Sequence, residues 1–427
     1  MANDTPYGWL EATAESSPDA PALFFPAGVV SYRELHTQVM ARVRSLRSEI
    51  VEGSIVPAVM QLDLPSIIEM LAIMRCGGVL LPYRSLRPGF PSIERDGAAV
   101  CIPTSGSSGE SQLVPLSYTN ISASVAASRE RLNTGPDDRW LATLPLDHVG
   151  GLSVLWRSLE AGGAAVVSPF GPLLPGFIDD VRPTIASLVP TMVHRLLDWS
   201  PDSLASIGSI LTGGAGTSSG LLDRAHTCGA SIIVTYGLTE ASSQVATAIP
   251  GSPERSSVVV GPPLDGFSIR ILGPHGEVGP GEQGRIEIDG PAVFNGYLGQ
   301  PPRSEPFLTS DVGFVTEDGS LGVVGRSDDI IVVGGRNVST RALGDMIVAT
   351  GLVRDAMVVG IPDPEWGSIP VAIVDVAPPN SLRAVEEALA EIGETGHAPH
   401  RWIEGGVPLL PNGKHDRVSA RRMFGAG

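Results

Sequence analysis

The chain has 427 residues, well above the ~150 of an average domain, so more than one domain is expected. Hydrophobic residues make up 42% and charged residues 18%, which excludes a disordered chain and supports a large core. Acids outnumber bases 46 to 29, and no basic run interleaves with aromatic residues, which argues against a nucleic-acid surface.

The first hundred residues alternate between helix and strand patterns. TPYGWLEATAESSP reads as a helix, VVSYRELHTQVMARVRSLRS as a strand entering an amphipathic helix, and SIIEMLAIMRCGG as a helix stopped by two glycines. The apolar stretch Ile67 to Leu81 is broken by Glu69, Arg75 and two glycines, so no membrane span is expected. The segments WLATLPL, AAVVSP, IASLVP, SIGSILTG and SIIVTYG are short apolar strands with helical patterns between them. This is the signature of an α/β sheet covered on both faces. From about residue 255 to 325 the texture turns Gly- and Pro-rich and strand-like. After residue 328 a mixed pattern returns, ending in the helix LRAVEEALAEIG. We therefore expect α/β architecture with two domains, 1–327 and 328–427. The first combines α/β subdomains with a β-rich unit, and the second is a small, mobile α+β lid.

Cys76, Cys101 and Cys228 are far apart and show no CxxC spacing, which excludes a disulfide scaffold or a structural zinc site. The start of the chain has neither a basic run nor an apolar core, so a cytoplasmic location is expected.

Several segments carry chemistry. Residues 103–114 read PTSGSSGESQLV, between a strand pattern and a helix pattern. Successive N–H groups of Thr104, Ser105, Gly106, Ser107, Ser108 and Gly109 can form an anion nest, although a plain Ser/Gly turn would read the same. A Walker loop is excluded because no GK[ST] follows. Residues 211–220 read LTGGAGTSSG. The glycines at 214, 216 and 220 also permit a dinucleotide turn, which motivates an NAD-binding oxidoreductase as a reading of another class. In YGLTE, Glu240 beside Thr239 can offer oxygen ligands to Mg²⁺, or simply be a solvated acid. Asp311 can accept from two ribose hydroxyls, and Arg326 offers a fixed fork of donors; each alone also reads as an ordinary turn residue. Lys414, in PLLPNGKHDR, is a mobile point charge or merely exposed. His148, at a strand end before two glycines, can gate a pocket or serve structure.

Together and in this order, TSGSSGESQ, GGA at 213–215, YGLTE, TSD, GRSDD and PNGK resemble the adenylate-forming superfamily of acyl-CoA synthetases, luciferases and nonribosomal adenylation domains. GEQGRIEIDGPAVFNGYLG and GIPDPEWGSIPVAIV are also similar to family segments. LPLDHVGGLSVLWRSLEAGG is nearest in texture to the o-succinylbenzoate–CoA ligase branch. The resemblance covers the chain from about residue 20 onward. It implies an acyl-CoA ligase that uses ATP, Mg²⁺ and CoA and acts on an aromatic or bulky hydrophobic acid through an acyl-adenylate. In that scheme Lys414 and His148 are catalytic and Glu240 holds the metal. Gly213, Gly214, Ala215, Tyr236, Gly237 and Thr239 frame the nucleotide with Asp311 and Arg326. Asp328 is the hinge, and Gly334, Gly335 and Arg336 line the CoA side.

Three departures stand out. Gln112 replaces the lysine of the phosphate loop, with Glu110 beside it. Ala342 stands where the family has a glutamate. The region 79–103 is short for the family, as though trimmed. These motivate an alternative: a thioesterification-only ligase fed by a companion adenylating enzyme. The expected acyl pocket, 148–153, 188–192, 213–216 and 236–243 with Gln244 nearby, contains no arginine or lysine, which counts against o-succinylbenzoate as the acid.

Overall fold

The computed structural model describes residues 4–83, 97–105, 111–252, 256, 258–392, 398–410 and 415–426. Among them the strands form four sheets. The largest has eight strands. From one edge its order is Ser243–Thr247, Ile232–Leu238, Ser209–Thr212, Ile185–Leu188, Arg139–Ala142, Ala164–Val167, Pro21–Phe25 and Gly28–Ser31. Its six inner strands run parallel and each edge strand is antiparallel. Parallel strands need helices on both faces, and their sequences are therefore continuous apolar runs rather than alternating ones. Ala164–Val167 and Ile185–Leu188 are buried at every position.

The helices carry clear end signals. Ser31 caps Tyr32–Leu46 in a reciprocal capping box with Glu34, and Asp63 caps Leu64–Arg75 through the Ser66 amide. The helix Val149–Ala161 is unusual, because nearly every side chain from Gly151 to Leu159 is buried. A helix that is apolar all round belongs inside the protein, and this one runs between the large sheet and the helix Tyr118–Leu132.

The β-rich texture from 255 onward is a six-stranded antiparallel sheet, ordered Val259–Gly261, Leu321–Arg326, Phe307–Val315, Gly284–Asp289, Ser268–Gly273 and Gly276–Glu277. A four-stranded sheet joins Ile55–Val59, Val79–Tyr83, Ala98–Ser105 and Ser111–Ser117. Sheet membership changes across the short turn Ser327–Asp329. Leu321–Arg326 belongs to the six-stranded sheet, whereas Ile330–Val333 begins the five-stranded sheet of the C-terminal α+β unit. That unit has its own core, including Val358, Ala372, Val374, Ile347 and Leu389. No helix among the described residues is long and apolar enough to cross a membrane.

Candidate functional site

Ser209–Thr212 and Ile232–Leu238 are adjacent parallel strands in register, so their carboxyl ends open side by side. Ligands of open α/β sheets bind outside such ends. The turn holding Gly213, Gly214 and Ala215 follows the first strand; Tyr236 and Gly237 end the second, and Thr239 and Glu240 begin the next short turn. Gly237 has a steric reason to be glycine: an added Cβ would stand 1.9 Å from the Ser243 carbonyl oxygen of the neighbouring strand.

Two carboxylates converge here from different directions. The buried Tyr236 donates its hydroxyl to Asp311 Oδ2 at 2.5 Å. Asp311 lies on Phe307–Val315, opposite Arg326 in the ladder, and its amide donates to Thr309 Oγ1 at 3.0 Å. Tyr297 donates its hydroxyl to Glu240 Oε1 at 2.8 Å. Burial pushes both phenols above their ordinary value, and the neighbouring carboxylates push in the same direction. The Arg326 charge acts on Tyr297 in the opposite sense, and the Glu240 charge reaches Tyr236, so the four groups and Arg326 share one electrostatic neighbourhood. Among the described residues no arginine or lysine forms an ion pair with Asp311 or Glu240. Among the described residues each carboxylate is held by a phenol rather than by an ion pair.

Such a carboxylate suits a cation. No group of three or more His, Cys, Asp or Glu side chains able to hold a metal occurs among the described residues, so a resident all-protein site is not indicated. A single carboxylate fits Mg²⁺, which keeps several waters and takes its other ligands from phosphates.

The other expected residues fall as follows. Thr104 and Ser105 pair with Gln112 and Ser111 between the antiparallel strands Ala98–Ser105 and Ser111–Ser117, and the Thr104 hydroxyl donates to the Gln112 carbonyl oxygen at 3.2 Å. Gly106, Ser107, Ser108, Gly109 and Glu110 lie outside the described residues, as does Lys414. The residues beside that second gap are anchored: Leu409 bridges His415, whose Nε2 lies 3.1 Å from both Asp355 oxygens. Asp328 falls within the turn between the six-stranded and five-stranded sheets. Gly334 and Gly335, at φ +55° and +83°, form the left-handed turn of the hairpin that continues through Arg336, and the Gly334 amide donates to the Trp366 carbonyl oxygen at 3.0 Å. His148 is the N-cap residue of Val149–Ala161, with Nε2 3.9 Å from Asp147 Oδ2.

Gln244 is not available to a ligand as expected. Its oxygen accepts from Ser128 at 2.7 Å and its amide donates to Thr247 Oγ1 at 2.9 Å, which fixes it inside a buried polar network. Sequence reasoning also missed two residues. One is Tyr297. The other is Arg157, which is 3% exposed, donates to Ser243 Oγ at 3.1 Å and stacks over the Trp140 ring at 5.4 Å. Among the described residues no acid pairs with it. Burial drags its pKa down to about 9, so it is still a cation at neutral pH. The four segments expected to line the acyl pocket contain no arginine or lysine, but the fold brings Arg157, from outside them, to Ser243. The signal was present: a single arginine inside an otherwise apolar helix.

A family model described as AMP-binding enzyme matches residues 85–298, half of the chain. The chain is 34% identical over 293 residues to a 2-succinylbenzoate–CoA ligase of Lactococcus lactis subsp. lactis, a stretch covering 68% of this chain and 63% of that one. It is 31% identical over 339 residues to the enzyme of the same name from Bacillus pumilus, covering 77% and 69%. The match spans 63% of the Lactococcus lactis relative and 60% of that of Bacillus licheniformis, less than two thirds of either. The fold is shared with o-succinylbenzoate CoA synthetase from Bacillus subtilis in complex with its acyl-adenylate intermediate, at a TM-score of 0.85, 24% identity and 97% coverage of each chain. It is shared also with ATP-bound MatB from Rhodopseudomonas palustris, at 0.87 and 22% identity over 98% of this chain and 99% of that.

Proposed function

Because the chain belongs to the AMP-binding enzyme family, we propose that it is an acid–thiol ligase making a CoA thioester through an acyl-adenylate. The observation that carries this reading is the pair of phenol-held carboxylates, Asp311 and Glu240: Asp311 is tied to Tyr236 at the carboxyl end of a parallel strand, and Glu240 follows that strand. In the first step a substrate carboxylate oxygen attacks the α-phosphorus of ATP, and the bond to pyrophosphate breaks. In the second the CoA sulfur attacks the acyl carbon, the thiol proton leaves to solvent, and AMP departs. Phosphoryl chemistry of this kind needs positioning and charge neutralisation more than covalent help from the protein.

Asp311 and Arg326 take the ribose hydroxyls, while Tyr236 and the 213–215 turn flank the adenine. Mg²⁺, when bound, would neutralise phosphate charge beside Glu240. The 104–109 loop accepts phosphates on its amides, and Lys414 bridges carboxylate and phosphate oxygens. Residues 328–427 act as a lid turning at Asp328, with CoA passing Gly334, Gly335 and Arg336. The family membership also sets aside the dinucleotide reading of 214–220.

The acid is proposed to be an aromatic or bulky one carrying a second carboxylate, which Arg157 recognises. A buried cation without a counter-ion is costly, and an anionic ligand offsets that cost. This supports o-succinylbenzoate, in keeping with the names of the relatives. The test is CoA-thioester formation over a panel of acids, followed by mass spectrometry. Turnover of o-succinylbenzoate but not of its monocarboxylate analogue is expected; equal turnover of both removes Arg157 from the reading, and no thioester from any acid removes the ligase.

Gln112 in place of lysine favours a second reading, in which the chain performs only thioesterification on adenylate supplied by a companion enzyme. Pyrophosphate exchange separates the two: rapid exchange at ordinary ATP concentration retains the full ligase, and its absence beside brisk adenylate-dependent thioester formation selects the alternative.

A further inference from the structure

The segment 291–298 lies between the two elements that would face the phosphates. The Phe294 amide donates to the Glu240 carbonyl oxygen at 2.7 Å, and Tyr297 donates its hydroxyl to the Glu240 carboxylate at 2.8 Å. The Leu298 amide donates to the Leu113 carbonyl oxygen at 2.9 Å, on the strand Ser111–Ser117. The segment is itself tethered: Asn120 donates its amide to the carbonyl oxygens of Pro291 and Val293, and Ser242 donates to that of Ala292. The Tyr297 ring meets Phe294 edge-on at 4.9 Å between centroids, and Phe294 meets Phe307 at 5.1 Å, so the phenol has little freedom to swing. Among the described contacts, one oxygen of Glu240 is spoken for and the other makes no protein hydrogen bond.

We infer that Tyr297 is a positioning residue: it fixes Glu240 so that the free carboxylate oxygen faces the metal–triphosphate, and the segment 291–298 ties that carboxylate to the strand Ser111–Ser117. The inference rests on the proposed assignment of Glu240 to the metal. A hydrogen bond from a neighbouring group orients a ligating carboxylate, and its loss typically lowers metal affinity about 10- to 100-fold.

The experiment uses the full chain and compares wild type, Tyr297→Phe and Glu240→Gln. Mn²⁺ is titrated in the presence of a non-hydrolysable ATP analogue, with free metal read by electron paramagnetic resonance. In parallel, thioester formation is measured from preformed acyl-adenylate and CoA without metal. Tyr297→Phe keeps the ring and its packing, and an unchanged melting temperature without ligand verifies the fold. The expected result is a roughly tenfold weaker Mn²⁺ affinity in Tyr297→Phe, with the adenylate-dependent rate unchanged. Unaltered Mn²⁺ affinity in Tyr297→Phe beside a clear loss in Glu240→Gln overturns the inference and leaves the ligase reading standing. If Glu240→Gln also binds Mn²⁺ normally, the metal assignment falls and the inference with it. If Tyr297→Phe slows the adenylate-dependent rate, its role is structural and the inference again fails.

Discussion

Individual carboxylates are held differently in two regions of this molecule. In the C-terminal unit Asp329 is matched by Arg417 and Asp375 by Arg354. At the carboxyl ends of the large sheet, Asp311 and Glu240 are held by phenols that contribute a hydrogen bond and no charge. Arg157 is the mirror case, a buried cation whose partners are a hydroxyl and an indole ring. The contrast separates charges that complete a structure from charges kept for a ligand. A neutralised pair has little left to offer, whereas an oriented but uncompensated charge retains most of its attraction for an ion of opposite sign.

The largest effect should come from breaking a matched pair. Arg417 reaches Asp329, which is 5% exposed, so Arg417→Met removes the cation paired with a buried carboxylate. Losses of this kind cost about 3–5 kcal/mol, and the double variant with Asp329→Asn should recover much of it. Urea denaturation followed through the C-terminal unit by limited proteolysis checks both. A double variant no more stable than the single one would mean that the pair is not acting as a unit.

Removing an unmatched charge should cost binding and little stability. Asp311→Asn is expected to weaken AMP binding by about 1.5–3 kcal/mol, ten- to a hundredfold, at a nearly unchanged melting temperature. Calorimetric titration beside a thermal melt reads the two quantities separately. Arg157→Met carries the comparison further, because its two effects have opposite signs. Without ligand the variant should be more stable by about 1–2 kcal/mol, since an apolar replacement of a buried ion is often stabilising, while its selectivity for a dicarboxylic acid is lost. A destabilised variant with intact selectivity would place Arg157 among the structural charges.

The smallest effect is in alkali. Burial raises the Tyr32, Tyr236 and Tyr297 phenols above the ordinary 10.0. Above that value the unfolded chain gives up these protons while the folded one keeps them, so stability falls as pH rises through and beyond 10. Tyr32 also donates to the Gly163 carbonyl oxygen at 2.7 Å, so Tyr32→Phe should lower the melting temperature slightly at pH 8. The same change should make its decline between pH 9 and 11 shallower, which thermal melts across that range would detect.

Much of the fold could be read from local pattern. Short apolar runs separated by capped helices can only be stacked as a covered parallel sheet, and the change of texture after 255 marks a second sheet with alternating faces. Within the site, YGLTE and the GGA turn were legible because sharp turns at strand ends require small residues in short, contiguous signatures. Asp311 and Arg326 were legible for the same reason, each lying in a short polar break. Tyr297 and Arg157 were not. Tyr297 stands 57 residues from Glu240, and Arg157 stands 86 from Ser243; such pairings leave no periodicity in either segment. Gln244 was misread because a buried amide satisfied by three hydroxyl-bearing neighbours has the same sequence as one awaiting a ligand.

The Tyr236–Asp311 bond joins two sheets across 75 positions of chain, and this has a bearing on how the molecule forms. The large sheet itself closes a longer loop, where Leu23 pairs with Ala165, and the six-stranded sheet must also form and dock before Asp311 meets its phenol. Contacts that close long loops are entropically late. Under the proposed function, an immature chain would have half a nucleotide site, and half a site has little affinity. A nucleotide that binds only the finished molecule pulls the equilibrium toward it by mass action, with no separate helper. For a chain emerging into a solution rich in adenine nucleotides, ligand binding and completion of the fold become a single event.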